Sequence, residues 1–222
     1  MLELQRVDYI ACLGDSVGYG GQPDQVCNLI RKYADVTVLG NHDAAVARRM
    51  DYAYYRPAAR EALDNHRSQL SDENLAWLSG LPYTARLHDL AFCHGVPPDV
   101  EAFEYLFSLD QVVGLSETYA EQARVTFVGH SHLCKCFRYT ADEGEEILRT
   151  RFQTDGEYKY IISAGSVGQP RDYDSRACCG LYDTELGTFE YVRLPYDIDG
   201  AAQQIAASNL SEAFGRRLFL GV

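Results

Sequence analysis

The chain has 222 residues, enough for one domain with a sizeable core, and its 46% hydrophobic and 23% charged residues exclude a disordered chain. A formal net charge of −12 opposes extended binding to nucleic-acid phosphates, although bound cations can reverse the sign locally for a small phosphorylated substrate. No uninterrupted apolar run approaches the roughly 18 residues of a membrane span, and the start MLELQRVDYI lacks a signal-peptide pattern. Seven cysteines, an odd number without a secretion signal, fit reduced thiols and a cytoplasmic protein.

The first apolar run, Tyr9 to Leu13, stops at Gly14-Asp15 and reads as a buried strand delivering its end to a loop. Residues 22 to 33 read as a helix with Pro23 near its start. Val36 to Leu39 reads as a second buried strand halted at Gly40, completing a βαβ unit. A helical middle is expected from about Ala45 to Gly80, with Ser71 as an N-cap three residues before Asn74. Strands follow at Tyr83 to Leu87, Leu90 to Cys93, Val125 to Val128, Leu133 to Tyr139, Tyr158 to Ser163, Cys179 to Tyr182 and Thr188 to Val192. Helical material is expected near 100–122 and from about 198 to 215. With no repeat or linker, residues 1–222 are expected to form a single domain of two face-to-face sheets flanked by helices.

Polar residues of one kind recur directly after these strands. Asp15 follows Gly14; His42 lies in Gly40-Asn41-His42-Asp43; His94 precedes Gly95; His130 and His132 lie in Gly129-His130-Ser131-His132. A carboxylate, an amide and several imidazoles at strand ends are the donor set of a site for hard-to-borderline divalent metals. The adjacent glycines let the chain turn sharply there.

These motifs, in this order, resemble the calcineurin-like metallophosphoesterases, and are similar above all to small bacterial phosphodiesterases of the diadenosine tetraphosphate hydrolase type. Ala164-Gly165-Ser166-Val167-Gly168-Gln169-Pro170-Arg171 looks like the glycine-rich loop of that branch. The resemblance implies an α-β-β-α sandwich and a hydrolase of phosphodiester or phosphomonoester bonds acting through two divalent metals and metal-activated water. Mn²⁺ or Fe²⁺ is implied, with Zn²⁺, Ni²⁺ or Mg²⁺ as further choices. It implies that Asp15 bridges both metals, that Asn41, His94 and His130 complete the second, and that His132 belongs to the first. His42 is implied to be catalytic, beside the substrate phosphate. Arg171 is a candidate phosphate ligand, against a surface ion pair with Asp172 or Asp174.

The family pattern normally opens with a strand ending in Asp-x-His, which supplies two further ligands of the first metal. Residues 1 to 13 contain no such motif, and Met1 to Arg6 reads as the end of the helix after that strand. Relative to the pattern the chain is expected to begin one strand late, either from an internal Met1 or from a true truncation. The rival function is therefore a binding or scaffold module that has lost catalysis on the same fold.

Three lesser features stand beside these. Tyr52, Tyr54 and Tyr55 form an aromatic cluster after His42, read as packing or as a nucleobase wall. His130, His132, Cys134 and Cys136 alternate as if on one strand face, a weak pattern for zinc. His66 and His88 have no assigned role.

Overall fold

The computed structural model describes residues 7–222. The helix end read into Met1 to Arg6 lies outside the described residues. The first strand, β1 (Ala11–Cys12), leads through a loop to α1 (Pro23–Tyr33) and then to β2 (Val36–Thr37), which pairs parallel with β1. The expected βαβ unit is present, but both strands are shorter than their apolar runs. Among the described residues β1 pairs only with β2, so the ladder holds just Ala11 opposite Val36 and Cys12 opposite Thr37. In α1, Pro23 occupies the first turn, where its missing N–H costs nothing, and Arg31 and Lys32 complement the dipole in the last.

The helical middle is three helices: α2 (Asn41–Val46), α3 (Pro57–Gln69) and α4 (Asp72–Gly80). It begins four residues earlier than expected because the Asp43 carboxylate accepts the Gly40 N–H at 3.0 Å and turns the chain directly from strand into helix. Ser71 is the N-cap of α4, its Oγ accepting the Asn74 N–H at 3.3 Å.

A six-stranded sheet carries the rest of the fold. Its strands are β3 (Thr84–Leu87), β4 (Leu90–Cys93), β5 (Val125–Val128), β6 (Cys134–Tyr139), β7 (Gly144–Glu146) and β9 (Lys159–Ala164), in the spatial order β3-β4-β5-β9-β6-β7. Strands β4, β5 and β9 run parallel to one another, and the outer pairings are antiparallel. A three-stranded antiparallel sheet joins β8 (Arg151–Gln153), β10 (Ala177–Asp183) and β11 (Thr188–Leu194) in the order β10-β11-β8. Strands β7 and β8 have no apolar alternation to announce them. Their extended state comes from pairing with Phe137–Tyr139 and Thr188–Glu190.

One face of the large sheet packs against a core of Val38, Phe92, Val125, Phe127, Ile162 and Phe189. Residues of β1–β2 and of the three-stranded sheet meet in this same core, so the second layer of the sandwich consists of two separate sheets. The other face is covered by α5 (Leu109–Val113) and the 3₁₀ turns beside it, through Leu106, Val112, Leu115, Phe137 and Ile161. The tail forms α6 (Ile198–Ala207) and α7 (Glu212–Leu220), which pack on Ala62 of α3. The result is the expected mixed α/β fold with a large sheet flanked by helices. It brings the C-terminal ends of β1, β2, β4, β5 and β9 to one edge.

Candidate metal centre

The ends of β1, β2, β4 and β5 hand over to loops or a helix that carry Asp15, Asn41 with His42, His94, and His130 with His132. Asp15, His130 and His132 are held there in the left-handed backbone region, with φ of 55°, 62° and 59°. Non-glycine residues take that conformation at a cost of about 1–3 kcal/mol each, and such strain gathers where function holds it in place. Gly40 permits the closest approach, since a Cβ there would sit 2.2 Å from both the Asp15 nitrogen and its Oδ1. The space goes to a hydrogen bond, as the His42 N–H donates to Asp15 Oδ1 at 2.9 Å.

His94 Nε2 is the meeting point. It lies 3.2 Å from Asn41 Oδ1, 3.2 Å from His130 Nδ1 and 3.3 Å from Asp15 Oδ2. The other ring nitrogen, Nδ1, donates to the Leu13 carbonyl at 2.6 Å, which fixes the ring with Nε2 facing these three groups. Asn41 is oriented in the same way, its Nδ2 donating to Tyr55 Oη at 2.6 Å and its Oδ1 turned to His94. Lone pairs crowded at this spacing repel one another unless a cation sits between them. Ligand atoms about 2.0–2.2 Å from a shared ion lie roughly 2.8–3.6 Å apart at tetrahedral or octahedral angles. The observed separations fall inside that range. Among the described residues, Asp15, His94 and His130 form a group whose ligand atoms lie close enough together that they could hold a metal ion, with Asn41 adjoining.

The electrostatics agree. Burial pushes the Asp15 carboxyl up, but the imidazoles of His94 and His42 pull it well below the carboxylate range. Burial, reinforced by His94, takes His130 down to about 3, and burial with Arg171 takes His132 down to about 4. Neutral imidazole is the ligating form. His94 alone is raised, because Asp15 outweighs the opposing effect of burial. Behind the ligands, burial and the Asp15 charge lift Asp43 to about 7 while its carboxyl accepts the N–H groups of Gly40 and Val17.

The remaining expected residues lie around this centre. His42 is buried with Nδ1 unpartnered, and its pKa is lowered by burial, which the Asp15 charge only partly opposes. His132 is outside the three-residue cluster, its Nδ1 donating to the Gln169 carbonyl at 2.6 Å. Arg171 donates from its backbone N–H to the His132 carbonyl at 3.2 Å and from its guanidinium to Gln169 Oε1 at 3.1 Å. Its Nε is buried without a partner. The carboxylates weighed as rival partners are taken elsewhere, Asp172 by Arg193 and Asp174 by Arg176. The pattern of four alternating ligands on one strand is corrected: β6 begins at Cys134, and the left-handed turns at His130 and His132 precede it.

Several residues here were invisible in the motifs. Tyr105 stacks on the His130 ring at 3.8 Å and 17°, and Phe107 stacks on Tyr105 at 4.9 Å and 9°. Both outer rings are exposed, at 36% and 51%. Tyr19 meets His42 edge-on at 4.7 Å. In the aromatic cluster after His42, Tyr55 supports Asn41 and Tyr52 packs in the core, while Tyr54 stays exposed. His66, given no role from the sequence, holds the loop after Asp15. Its Nδ1 accepts the Gly18 N–H at 3.0 Å, and its Nε2–H donates to the Gly20 carbonyl at 2.7 Å.

Comparison with known proteins places this fold and candidate centre in a family. Residues 1–187 match the calcineurin-like phosphoesterase superfamily domain, and the chain belongs to that family. It is 35% identical over 219 residues to the uncharacterized protein MJ0912 of Methanocaldococcus jannaschii, covering 96% of this chain and 86% of the relative. A crystal structure of a metallophosphoesterase from Sphaerobacter thermophilus superposes with a TM-score of 0.84 at 30% identity, over 99% of this chain and 91% of that one. The hypothetical protein PH1004 from Pyrococcus horikoshii OT3 shares the fold, with a TM-score of 0.76 at 16% identity over 100% of this chain and 89% of its own. Among the described residues, no helix is long and apolar enough to cross a membrane.

The His66 contacts set a pH test. Burial lowers its pKa from 6.5 to about 4, so the unfolded chain takes up this proton before the folded one does. The stability that neutral His66 contributes is complete above about pH 6.5 and is lost as pH falls toward 4. In urea unfolding, the stability gap between the wild type and His66→Gln is expected to shrink by on the order of 3 kcal/mol across that window. Parallel pH profiles would contradict this role.

Proposed function

We propose that the protein is a metal-dependent phosphoesterase hydrolysing phosphodiester or phosphomonoester bonds of small, nucleotide-type substrates. The observation that carries this reading is the crowding of Asn41 Oδ1, His130 Nδ1 and Asp15 Oδ2 around His94 Nε2. Asp15, Asn41, His94 and His130 would hold one divalent cation, and Asp15 with His132 would contribute to a second. Mixed oxygen and imidazole donors suit Mn²⁺ or Fe²⁺. When bound, such cations supply Lewis-acid charge to the phosphoryl oxygens and a water of lowered pKa.

The chain's own groups do the rest. Buried His42 is neutral in the free protein; a phosphoryl anion beside it favours its protonated form, and the imidazolium then hands a proton to the leaving oxygen. Arg171, held by Gln169 and free of the nearby carboxylates, offers N–H groups to a second phosphoryl oxygen. The exposed stack of Phe107 on Tyr105 on His130 gives a flat aromatic group of the substrate a surface beside the reacting phosphate. We read the chain as one domain because Val36 and Val38 share a core with Phe189 and Tyr191. Its seven free cysteines suit a reducing, cytoplasmic compartment.

With Mn²⁺ and bis(p-nitrophenyl) phosphate, turnover is expected to stop on chelation and return with the metal. His42→Ala should lower kcat by about 10²–10⁴ while bound Mn²⁺ is retained; an emptied site would refute its non-ligand role. Tyr105→Ala should raise KM roughly fivefold or more for a nucleoside phosphodiester and leave an alkyl phosphodiester unchanged, from a stacking contribution of about 1–3 kcal/mol. Equal changes for both substrates would contradict the stacking surface.

A further inference from the structure

Cys134 and Cys178 lie on different sheets, β6 in the six-stranded layer and β10 in the three-stranded one. Their sulfurs are nonetheless 3.4 Å apart, the contact of two thiols facing each other with nothing between. Three further features surround this pair. Gly165, in the left-handed region at φ 78°, leaves room for both sulfurs, because a Cβ there would lie 2.8 Å from Cys178 Sγ and 3.0 Å from Cys134 Sγ. The Cys178 N–H donates to the Ser166 carbonyl at 2.8 Å, fixing β10 to the glycine-rich loop. Arg193, on β11 and largely covered, donates from Nη2 to Cys134 Sγ at 2.9 Å. Neither thiol takes part in the reaction described above.

We propose that Cys134 and Cys178 form a reversible disulfide that joins the two layers of the sandwich next to the metal centre. The chemistry needs a peroxide as oxidant. Cys178, whose pKa is lowered first by the Cys134 hydrogen bond and next by the Arg193 charge, supplies the thiolate. Its sulfur attacks hydrogen peroxide, forming an S–O bond as the O–O bond breaks, and the released hydroxide takes a proton to leave as water. The Cys134 sulfur then attacks Cys178 Sγ, the S–S bond forms, the S–O bond breaks, and a second water leaves. Two thiols and one peroxide thus give one disulfide and two waters. A disulfide bond is about 2.05 Å long, so the two sulfurs, already 3.4 Å apart, close by about 1.4 Å to form it.

The bond fastens two segments of the site. Cys134 follows His132 by two residues, and Cys178 is hydrogen-bonded to the loop that ends at Arg171. The other five cysteines supply internal controls: Cys27, Cys93 and Cys136 are as buried as Cys178, Cys12 is half-buried and Cys179 adjoins Cys178 in sequence, while the sulfur–sulfur contact is between Cys134 and Cys178.

The full-length protein, treated with hydrogen peroxide and then unfolded, is assayed for free thiols and mapped by non-reducing peptide mass spectrometry. The expected result is a fall from seven reactive thiols to five, a cross-linked peptide pair containing Cys134 and Cys178, and full recovery with dithiothreitol. Cys134→Ser and Cys178→Ser should each lose the cross-link. Should either variant fail to fold, the wild-type peptide map decides alone. Seven thiols remaining, a bridge between other cysteines including Cys179, or irreversible over-oxidation of the pair would overturn the proposal.

Discussion

Side chains from three strand ends, Asp15, Asn41 and His130, converge on a single nitrogen of a fourth, His94 Nε2, and the fold around this centre is arranged to keep them there. Nδ1 is committed on the far side of the ring, to the Leu13 carbonyl, so it is Nε2 that faces the other three groups. Acceptors brought together in this way are unfavourable in an apolar interior, and a cation turns the same arrangement into a favourable one. The left-handed backbone at Asp15 and His130 points the same way, since strain at ligand positions persists only when the surroundings over-determine it.

Those surroundings are the sandwich. Parallel β4, β5 and β9 and the β1–β2 pair all end at one edge, so short loops suffice to bring widely separated residues together. Behind the loops, Asp43 accepts the Gly40 and Val17 N–H groups, His66 spans Gly18 and Gly20, and Tyr55 orients Asn41. Each fixes a side chain or a loop next to a ligand without facing the ion itself. The rings themselves are oriented by backbone carbonyls, His94 by Leu13 and His132 by Gln169. In the function proposed above, the aromatic stack on His130 and the guanidinium of Arg171 would serve the two ends of a nucleotide-type substrate.

Much of this was legible in the sequence, because the ligands sit in short motifs of fixed order: a β-branched or apolar run, a glycine, then a polar residue. Strands β4, β5, β9 and β11 could be read for the same reason, being apolar runs buried from both sides or alternating along one face. Strands β7 and β8 could not, since Gly144–Glu146 and Arg151–Gln153 are polar and become strands only through their partners. The supporting contacts were also hidden. Nothing near His66 in the sequence says that its two nitrogens face Gly18 and Gly20, 48 and 46 residues away. Tyr105 looks like any loop aromatic until the fold lays it over His130. The alternation of His130, His132, Cys134 and Cys136, a weak pattern for zinc from the sequence, is not a single strand face, because two left-handed turns precede the strand.

The central claim is that Asp15, Asn41, His94 and His130 form a real cation site. The most direct test is isothermal titration of the metal-stripped protein with Mn²⁺, run side by side with His94→Ala and with His42→Ala. The account predicts saturable binding in the wild type, retention in His42→Ala and loss in His94→Ala, with circular dichroism showing all three folded. Absent binding in the folded wild type, or unchanged binding in folded His94→Ala, would contradict it.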